Sequence, residues 1–387
     1  MNVSDAIQAA KAIVPRLEAS SPRSEQLRRL DDDAVAAMKE AGLARLFTPK
    51  PFGGFELPPR AHILSCATLA YGCSAASWVL MVCGAHTFVV GRYPEACQEE
   101  VFADPDVLLA GTLASQGTIE RTADGWLLNG RWQFCSGVDH SPWLLIGARQ
   151  VKAEKDPTPF GNVHVVVPTA DIEVDDTWYT LGMRGTGSKD IVAKGVFVPA
   201  HRAMPTKSLF IGTFSEAASP VYRLPVISGL ASMLAGTVLG MAERGFTRFV
   251  EYTKGRRDIY AGGSKAANPG IQRRVAEANA ELAAARLLVE RLCDRWDAAL
   301  AENRPPLDVS LRAQLRWDAA YVAELSRRAI DRLFAVAGAH AVYDSSELQR
   351  IHRDLHTACH HAIMDFDSLA ELHGRLTLGL DAGTPMV

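Results

Sequence analysis

The spacing of apolar residues changes twice along the chain and divides it into three parts. In the first part, apolar residues recur at the intervals of one helix face; they are Ala6, Ile7, Ala10, Ile13, Val14 and Leu17. Residues 4 to about 46 therefore predict two helices, with a break at SSPRSE. Residues 58–103 predict further helices, and the apolar run SAASWVLMVCGAH indicates that one of them is buried.

The second part has the pattern of a β domain. From Val107 to Pro199, short alternating or β-branched runs are separated by Gly, Asp, Asn and Pro, which favours antiparallel strands. After Pro205 the helical spacing returns, near 222–255, 270–303, 307–338 and 345–378. We predict a mostly helical α+β fold, with an N-terminal helical domain over 1–105, an antiparallel β domain over 106–205 and a C-terminal helical bundle over 206–387.

Composition narrows the function classes. The 387 residues are 48% hydrophobic and 22% charged with a formal net charge of −3, which offers no basic field for nucleic acid. The seven cysteines are odd in number and form no C-x-x-C pair, so we expect reduced thiols and a cytoplasmic protein. Residues 224–242 carry no charge and are long enough to cross a membrane. Their glycines and hydroxyl residues favour a helix buried by other helices, so we predict no membrane span.

The segment NGRWQFCSGVDHSPW, residues 129–143, combines aromatic rings with a hydroxyl group. Trp132 and Phe134 are two positions apart, so in a strand they would project to the same side, and Ser136 continues that side before Gly137 allows a turn. An aromatic face with a hydroxyl suits the flat ring of a flavin, which stacks and also needs polar partners. The alternative is a Trp/Phe strand that fills a β core.

Histidines are concentrated in QRIHRDLHTACHHAIMD, residues 349–365. His352, His356 and His360 follow i, i+4 and i+8, while His361 points about a quarter turn away. The i, i+4 pairs are possible metal ligands, but the sequence shows no third ligand, no H-E-x-x-H and no Cys cluster, so we predict no metal site. The alternative is that one histidine enters a pocket as a neutral general base. His86, in the apolar helix, is either a hydrogen-bonded core residue or part of a cavity wall.

Two further segments carry candidate binding groups. LGMRGTGSKD, residues 181–190, is either a plain β turn or a loop whose Arg and hydroxyls contact a phosphate or a ring edge. It fits neither a Rossmann nor a Walker pattern. Arg256 and Arg257 are either a solvated basic patch or phosphate ligands. Cys135 has no neighbouring base and is expected to be a packed thiol.

Five segments in order resemble the acyl-CoA dehydrogenase superfamily, and within it the branch of flavin-dependent two-component monooxygenases that oxidise phenols, indoles and dibenzothiophene. They are GCSAASWVL with His86, GRWQFCSGVDHSPW, LGMRGTGSKDI with VFVP, EYTKGRRD, and AGAHAVYDSSELQRIHRDLHTACHHAIMD. The resemblance covers residues 20–380 and implies N-terminal helices, a central β domain, a C-terminal four-helix bundle and a homotetramer.

The resemblance also implies roles for individual residues. Flavin-lining positions match Trp132, Phe134 and Ser136; Arg184, Thr186 and Ser188 would lie near the cofactor; and Arg256 would reach a flavin phosphate across a subunit boundary. His361 matches the family's base and His86 its substrate-contacting histidine. Trp78 and His140 are further substrate candidates.

The implied activity is that of an oxygenase component. Reduced flavin (FADH2 or FMNH2) would react with O2 to a C4a-hydroperoxide that hydroxylates a phenol or indole, with Ser136 near N5, His361 removing a proton or orienting the peroxide, and His86 holding the substrate. A separate NAD(P)H:flavin reductase would supply the flavin, since the chain has no dinucleotide motif.

Three alternatives remain open at the level of sequence. An acyl-CoA dehydrogenase with bound FAD needs a catalytic carboxylate, yet the matching region reads HHAIMDFDS and only Glu251 offers a substitute. An N-hydroxylating relative would act on an amine. A helical scaffold would have lost its cofactor.

Overall fold

A computed structural model of the chain describes residues 1–151, 161–210, 219–258, 262–303, 308–384 and 387. Within these residues the chain forms eleven α-helices and seven strands. The helices are α1 Val3–Leu27, α2 Asp32–Glu40, α3 Pro59–Leu69, α4 Ser74–Val90, α5 Glu95–Val101, α6 Thr206–Phe210, α7 Val226–Lys254, α8 Pro269–Ala301, α9 Val309–Phe334, α10 Glu347–Cys359 and α11 Phe366–Thr377. The strands are β1 Leu109–Arg121, β2 Gly125–Cys135, β3 Trp143–Gln150, β4 Val163–Pro168, β5 Glu173–Asp175, β6 Lys189–Pro199 and β7 Ala203–Pro205.

The first helix is longer than the sequence predicted. α1 continues through Pro15 and Pro22, and it ends at Arg28, which takes the left-handed conformation with φ 52°. The predicted break at SSPRSE is therefore wrong. The serines of this segment are buried against neighbouring helices, and Ser24 Oγ donates to the carbonyl oxygen of Ser20 at 3.2 Å. Tertiary packing thus outweighs the local helix-breaking effect of proline.

The strands form one sheet in the order β5-β6-β2-β1-β3-β4-β7. Neighbouring strands are antiparallel, as predicted, except that β1 and β3 run parallel. One face of the sheet encloses its own apolar cluster, which includes Ile119, Leu128 and Trp132. Helix α4 packs against β1, so the apolar helix predicted at SAASWVLMVCGAH joins the helical layer to the sheet.

The helices after the sheet form the C-terminal bundle, in which α9 packs against α7, α8 and α10. The predicted apolar face of α9 is buried, including Leu315, Val322 and Leu333. α7 is apolar and long enough to cross a membrane, but 83% of its most apolar window lies inside the protein. A side chain at Gly236 would clash with the carbonyl oxygen of Ile63, so glycine allows α7 to approach α3 closely. The predicted mostly helical α+β architecture is confirmed.

Candidate functional site

A chain of hydrogen bonds between side chains lies where α4, the end of β2 and the start of β6 meet. Trp78 Nε1 donates to Ser136 Oγ at 3.1 Å, and Ser136 Oγ lies 2.7 Å from Ser188 Oγ. Ser188 Oγ lies 2.6 Å from Thr186 Oγ1, which donates to the carbonyl oxygen of Met183 at 2.8 Å. All four side chains are buried. The structure therefore brings together three residues from the two predicted loops, and adds Trp78 from α4.

The donor and the acceptor in each hydrogen bond of this hydroxyl chain follow from the number of protons on each group. Each hydroxyl has one proton to donate and two lone pairs to accept with. Because Thr186 donates to Met183, Ser188 must donate to Thr186, and Ser136 must in turn donate to Ser188. Ser136 already accepts from Trp78. Its oxygen therefore keeps one free lone pair and can only accept a further hydrogen bond.

The aromatic residues of β2 do not share one side, and that prediction is wrong. Trp132 is 0% exposed in the core of the sheet, where its Nε1 donates to the carbonyl oxygen of Gly147 at 2.6 Å. Phe134 is 61% exposed and has a left-handed φ of 65°. The pairing of β2 with β6 shifts between Trp132 and Cys135, and this bulge reverses the side-chain alternation. Only Phe134 and Ser136 can face a ligand; Trp132 cannot line a flavin, and Cys135 is a packed thiol as predicted.

Gly137 closes the turn after Ser136. Its φ is +77°, and a Cβ at this position would lie 2.8 Å from Cγ1 of Val79 on α4. The Gly137 N–H donates to the carbonyl oxygen of Thr186 at 2.9 Å. Glycine therefore lets the turn approach α4 and the 183–188 loop at the same time, which sets the distance between Ser136 and Trp78.

Helix α10 supports the 183–188 loop through a hydrogen bond. The buried Asp354 accepts a hydrogen bond from the Met183 N–H at 2.6 Å, and burial raises the pKa of Asp354 to about 6. The carbonyl oxygen of Met183 also accepts Trp178 Nε1 at 3.0 Å. Asp354 and Trp178 were not identified from the sequence, because nothing local indicates that α10 reaches this loop.

His361 lies beside Trp78, with 5.8 Å between ring centroids and an edge-on angle of 61°. Its Nδ1 accepts a hydrogen bond from the Ile363 N–H at 3.2 Å, capping a short helical turn. His361 is partly accessible to solvent, yet desolvation by the surrounding protein lowers the pKa of His361, so the neutral ring predominates at pH 7. With Nδ1 acting as acceptor, the proton sits on Nε2, and the free nitrogen is a donor.

A recess of about 530 Å³ adjoins His361. Its walls come from α9, the end of α10 and the start of α11. They combine apolar residues with charged ones, including Ala320, Ala323, Cys359, Met364, Phe366, Glu324, Arg327 and Asp365. Because Trp78 contacts both Ser136 and His361, the recess and the hydroxyl chain are joined through one indole ring.

A second cleft, of about 600 Å³, lies on the other side of the 183–188 loop. Four arginines and two carboxylates line it, which gives a formal charge of +2; they are Arg28, Arg184, Arg350, Arg353, Glu25 and Asp344. Arg353 pairs with Glu25 at 2.9 Å, and Arg28 pairs with Asp176 and covers the ring of Tyr179. Within the described residues, the Arg350 guanidinium has no hydrogen bond or ion pair, so it is available to an anion. The sequence indicated only Arg184 of this set.

The remaining predicted residues lie apart from the hydroxyl chain. His86 is buried, and its Nδ1 contacts the carbonyl oxygen of Leu109 at 2.9 Å. His140 Nε2 contacts the carbonyl oxygen of Leu30 at 3.1 Å, and its contact with a substrate stays a prediction. Arg256 lies 2.7 Å from His340, and its predicted reach into another subunit stays a prediction. Glu251 is exposed and pairs with Arg248 at 2.8 Å, so it is not a base in a pocket.

We expect the protein to lose stability in mild acid. Burial lowers the pKa of His62, His86 and His164 to about 4 in each case, below the ordinary value of 6.5. A group that resists protonation when folded stabilises the protein fully above its unfolded pKa, and loses this contribution as the pH falls below it. The loss is about 2 kcal/mol per histidine by pH 5, and Asp354 offsets part of it because its shift has the opposite sign. Urea unfolding at pH 7 and pH 5 measures the difference; equal free energies of unfolding would contradict the burial of these rings.

Comparison with known proteins supports the architecture and identifies the family. A family model described as acyl-CoA dehydrogenase, C-terminal domain, matches residues 232–366. The oxygenase subunit HsaA of a flavin-dependent monooxygenase from Mycobacterium tuberculosis is 31% identical over 97% of this chain and 95% of its own. The oxygenase component of p-hydroxyphenylacetate 3-hydroxylase from Acinetobacter baumannii is 32% identical over 98% of this chain and 90% of its own. XiaF from Streptomyces sp., solved in complex with FADH2 and glycerol, has a TM-score of 0.91 and 29% identity, covering 100% of this chain and 98% of XiaF.

N-terminal helices, a central sheet and a C-terminal helical bundle, in this order along the chain, define a protein of the acyl-CoA dehydrogenase fold. Within that fold, the chain belongs to the flavin-dependent monooxygenases, in the family of their oxygenase components. It is an oxidoreductase, and the resemblance inferred from the five sequence segments is confirmed.

Proposed function

We propose that this chain hydroxylates a small aromatic substrate of the phenol or indole type, using O2 and a reduced flavin delivered by a separate NAD(P)H:flavin reductase. The observation that carries the proposal is the free lone pair of Ser136 at the end of a one-directional hydroxyl chain. Relatives named as oxygenase components act on p-hydroxyphenylacetate and resorcinol, and another is named indole-3-acetate monooxygenase.

The residues present fit a reduced flavin. N5 of a reduced flavin carries a proton, so it needs an acceptor, and Ser136 is restricted to accepting. The exposed ring of Phe134 offers an aromatic face next to Ser136, in contact with Trp178 at 6.2 Å between centroids. The positively charged cleft beyond Arg184 suits the phosphate groups of FMN or FAD. When bound, the reduced flavin supplies the electrons and activates O2.

The protein's own groups then orient the substrate and exclude water. His361 offers Nε2–H toward the recess as a hydrogen-bond donor to a phenolic oxygen or to the oxygen that is transferred. The buried indole of Trp78 contacts both Ser136 and the ring of His361, and this apolar ring helps to exclude water. In this arrangement a donor role for His361 is favoured over the base role, since a base would first have to free a nitrogen lone pair.

We expect the phosphate of the flavin to be bound by Arg350. Arg350→Ala should weaken the binding of reduced FMN and FAD about 10- to 100-fold, because a charged hydrogen-bond pair is lost. Reduced riboflavin has no phosphate, so its affinity should be nearly unchanged. Anaerobic titration monitored by absorbance measures the three affinities. Arg274→Ala, which removes an exposed arginine on α8, is the matched control.

Two results would redirect the proposal. If the wild-type protein binds no reduced flavin and does not slow its oxidation by O2, the monooxygenase activity is ruled out for this chain and the scaffold alternative is favoured. If it instead copurifies with oxidised FAD that acyl-CoA bleaches without a reductase, it is an acyl-CoA dehydrogenase. Assays with p-hydroxyphenylacetate, indole and primary amines separate C-hydroxylation from N-hydroxylation.

The expected assembly is a cytoplasmic homotetramer. Large apolar side chains stay exposed on a single chain, including Tyr179, Leu181, Tyr343 and Leu378, and burying them between copies would be favourable. All seven cysteines are unpaired, which supports a reducing compartment. Light scattering at several protein concentrations measures the mass of the assembly.

A further inference from the structure

Two histidines and one carboxylate converge between α9 and α10, away from the hydroxyl chain. His352 Nε2 lies 3.0 Å and His356 Nε2 lies 2.6 Å from the same atom, Asp331 Oδ1. The three ligand atoms lie within 4.8 Å of one another. The sequence shows the H-x-x-x-H pair but no third ligand, and the structure provides it from a different helix.

The distances fit a small divalent ion. Around a metal with bonds of about 2.1 Å, ligand atoms in a tetrahedral site are roughly 3.4 Å apart. The observed distances from the two Nε2 atoms to Asp331 Oδ1 are shorter than this. To bind an ion, each nitrogen would have to move away from the oxygen by several tenths of an ångström. An imidazole ligates a metal through a nitrogen that carries no proton, so each histidine would ligate through Nε2 with its proton on Nδ1.

Neighbouring side chains orient the three groups. Arg327 Nη1 donates to Asp331 Oδ2 at 3.2 Å, which leaves Oδ1 directed at the imidazoles. The ring of Phe334 stacks on His352, with 4.3 Å between centroids and 18° between planes. Contacts of this kind hold ligands in place around metals in proteins.

The cluster is open to an aqueous ion. The side chains of His352, His356 and Asp331 are 26%, 24% and 35% exposed. Water can therefore fill the coordination positions that the protein leaves vacant. Two imidazoles and one carboxylate select Zn²⁺, Co²⁺, Ni²⁺ or Cu²⁺ over Mg²⁺ and Ca²⁺, which prefer oxygen ligands.

We propose that Asp331, His352 and His356 form a binding site for a divalent transition-metal ion such as Zn²⁺, which links α9 to α10. The sequence alone predicted no metal site here, because the third ligand comes from a different helix. The proposal is independent of the proposed function. The site is structural: α10 also carries Asp354, which holds the 183–188 loop, so a bound ion would stabilise the support of that loop.

The test uses tag-free, chelator-treated full-length protein titrated with ZnSO4 in a calorimeter, and with CoCl2 followed by its visible absorption. We expect one ion per chain, a rise in the melting temperature, and no response to MgCl2. Each of His352→Ala, His356→Ala and Asp331→Asn should weaken Zn²⁺ at least about tenfold, since each removes a ligand. Asp331→Asn is nearly isosteric and preserves a hydrogen-bond acceptor, so it tests the site even if a histidine variant does not fold.

His201→Ala is the matched control, because His201 also contacts a carboxylate, Glu100, at 3.1 Å but forms no such three-ligand group with the residues that the structure describes. Unchanged Zn²⁺ affinity in this variant is expected. The proposal is overturned if the wild-type protein shows no saturable Zn²⁺ or Co²⁺ binding, or if the three ligand variants bind as tightly as the wild type. Flavin is absent from these titrations, so their outcome does not depend on the proposed activity.

Discussion

Ser136→Ala is expected to lower the yield of hydroxylated product about 100-fold and to convert the consumed O2 into H2O2 instead. Ser136 is the acceptor that the reduced flavin would contact, and removing one such preorganised group from an active site typically has an effect of this size. The measurement is the ratio of product to H2O2 per reduced flavin, with p-hydroxyphenylacetate and indole as probes. Without substrate, H2O2 should be released faster than in the wild type.

The loss of Ser136 also leaves Trp78 Nε1 without its partner, which should lower the free energy of unfolding by about 1–3 kcal/mol. Ser77→Ala provides the matched control. Ser77 is buried on the same helix α4 and donates to the carbonyl oxygen of Cys66 at 2.7 Å, so its loss destabilises the protein without touching the hydroxyl chain. If both variants release the same extra fraction of the consumed O2 as H2O2, the effect of Ser136→Ala is general destabilisation.

His361→Asn and His361→Gln should separate two roles of one ring. The asparagine oxygen replaces Nδ1 as the acceptor for the Ile363 N–H, but asparagine is too short to replace Nε2. The glutamine amide reaches the position of Nε2 and can donate a hydrogen bond, but it is no base. If His361 is a donor, the asparagine variant loses about 100-fold in product formation, whereas the glutamine variant stays within about tenfold of the wild type.

Flavin binding should be unchanged in both variants. Because the pKa of His361 lies below its ordinary value of 6.5, the rate of hydroxylation should be independent of pH above that value. In acid a base would lose activity, whereas a donor keeps its Nε2–H when Nδ1 is protonated. Two equally inactive variants would restore the base role. Two fully active variants would remove His361 from the reaction.

The local spacing of apolar residues was sufficient to predict most helices and the order of helical and β segments along the chain. It was not sufficient to predict the directions of the side chains on β2. Alternation along β2 predicted Trp132 and Phe134 on one side, and a bulge against β6 reverses one of them. A bulge depends on the register between two strands that are distant in sequence, so no spacing rule applied to β2 alone reveals it.

The sequence by itself determined the helical and β segments and the candidate hydroxyls Ser136, Thr186 and Ser188, because helix periodicity and turn chemistry are local. Resemblance to the family singled out His361. Only the tertiary structure decided which atoms meet. It connected Ser136 to Trp78 and Ser188, gave Arg350 and Asp354 their places around the 183–188 loop, and added Asp331 to the two histidines of α10. Each of these contacts joins elements far apart along the chain, and their distances follow from the packing of helices and sheet rather than from any residue's neighbours in sequence.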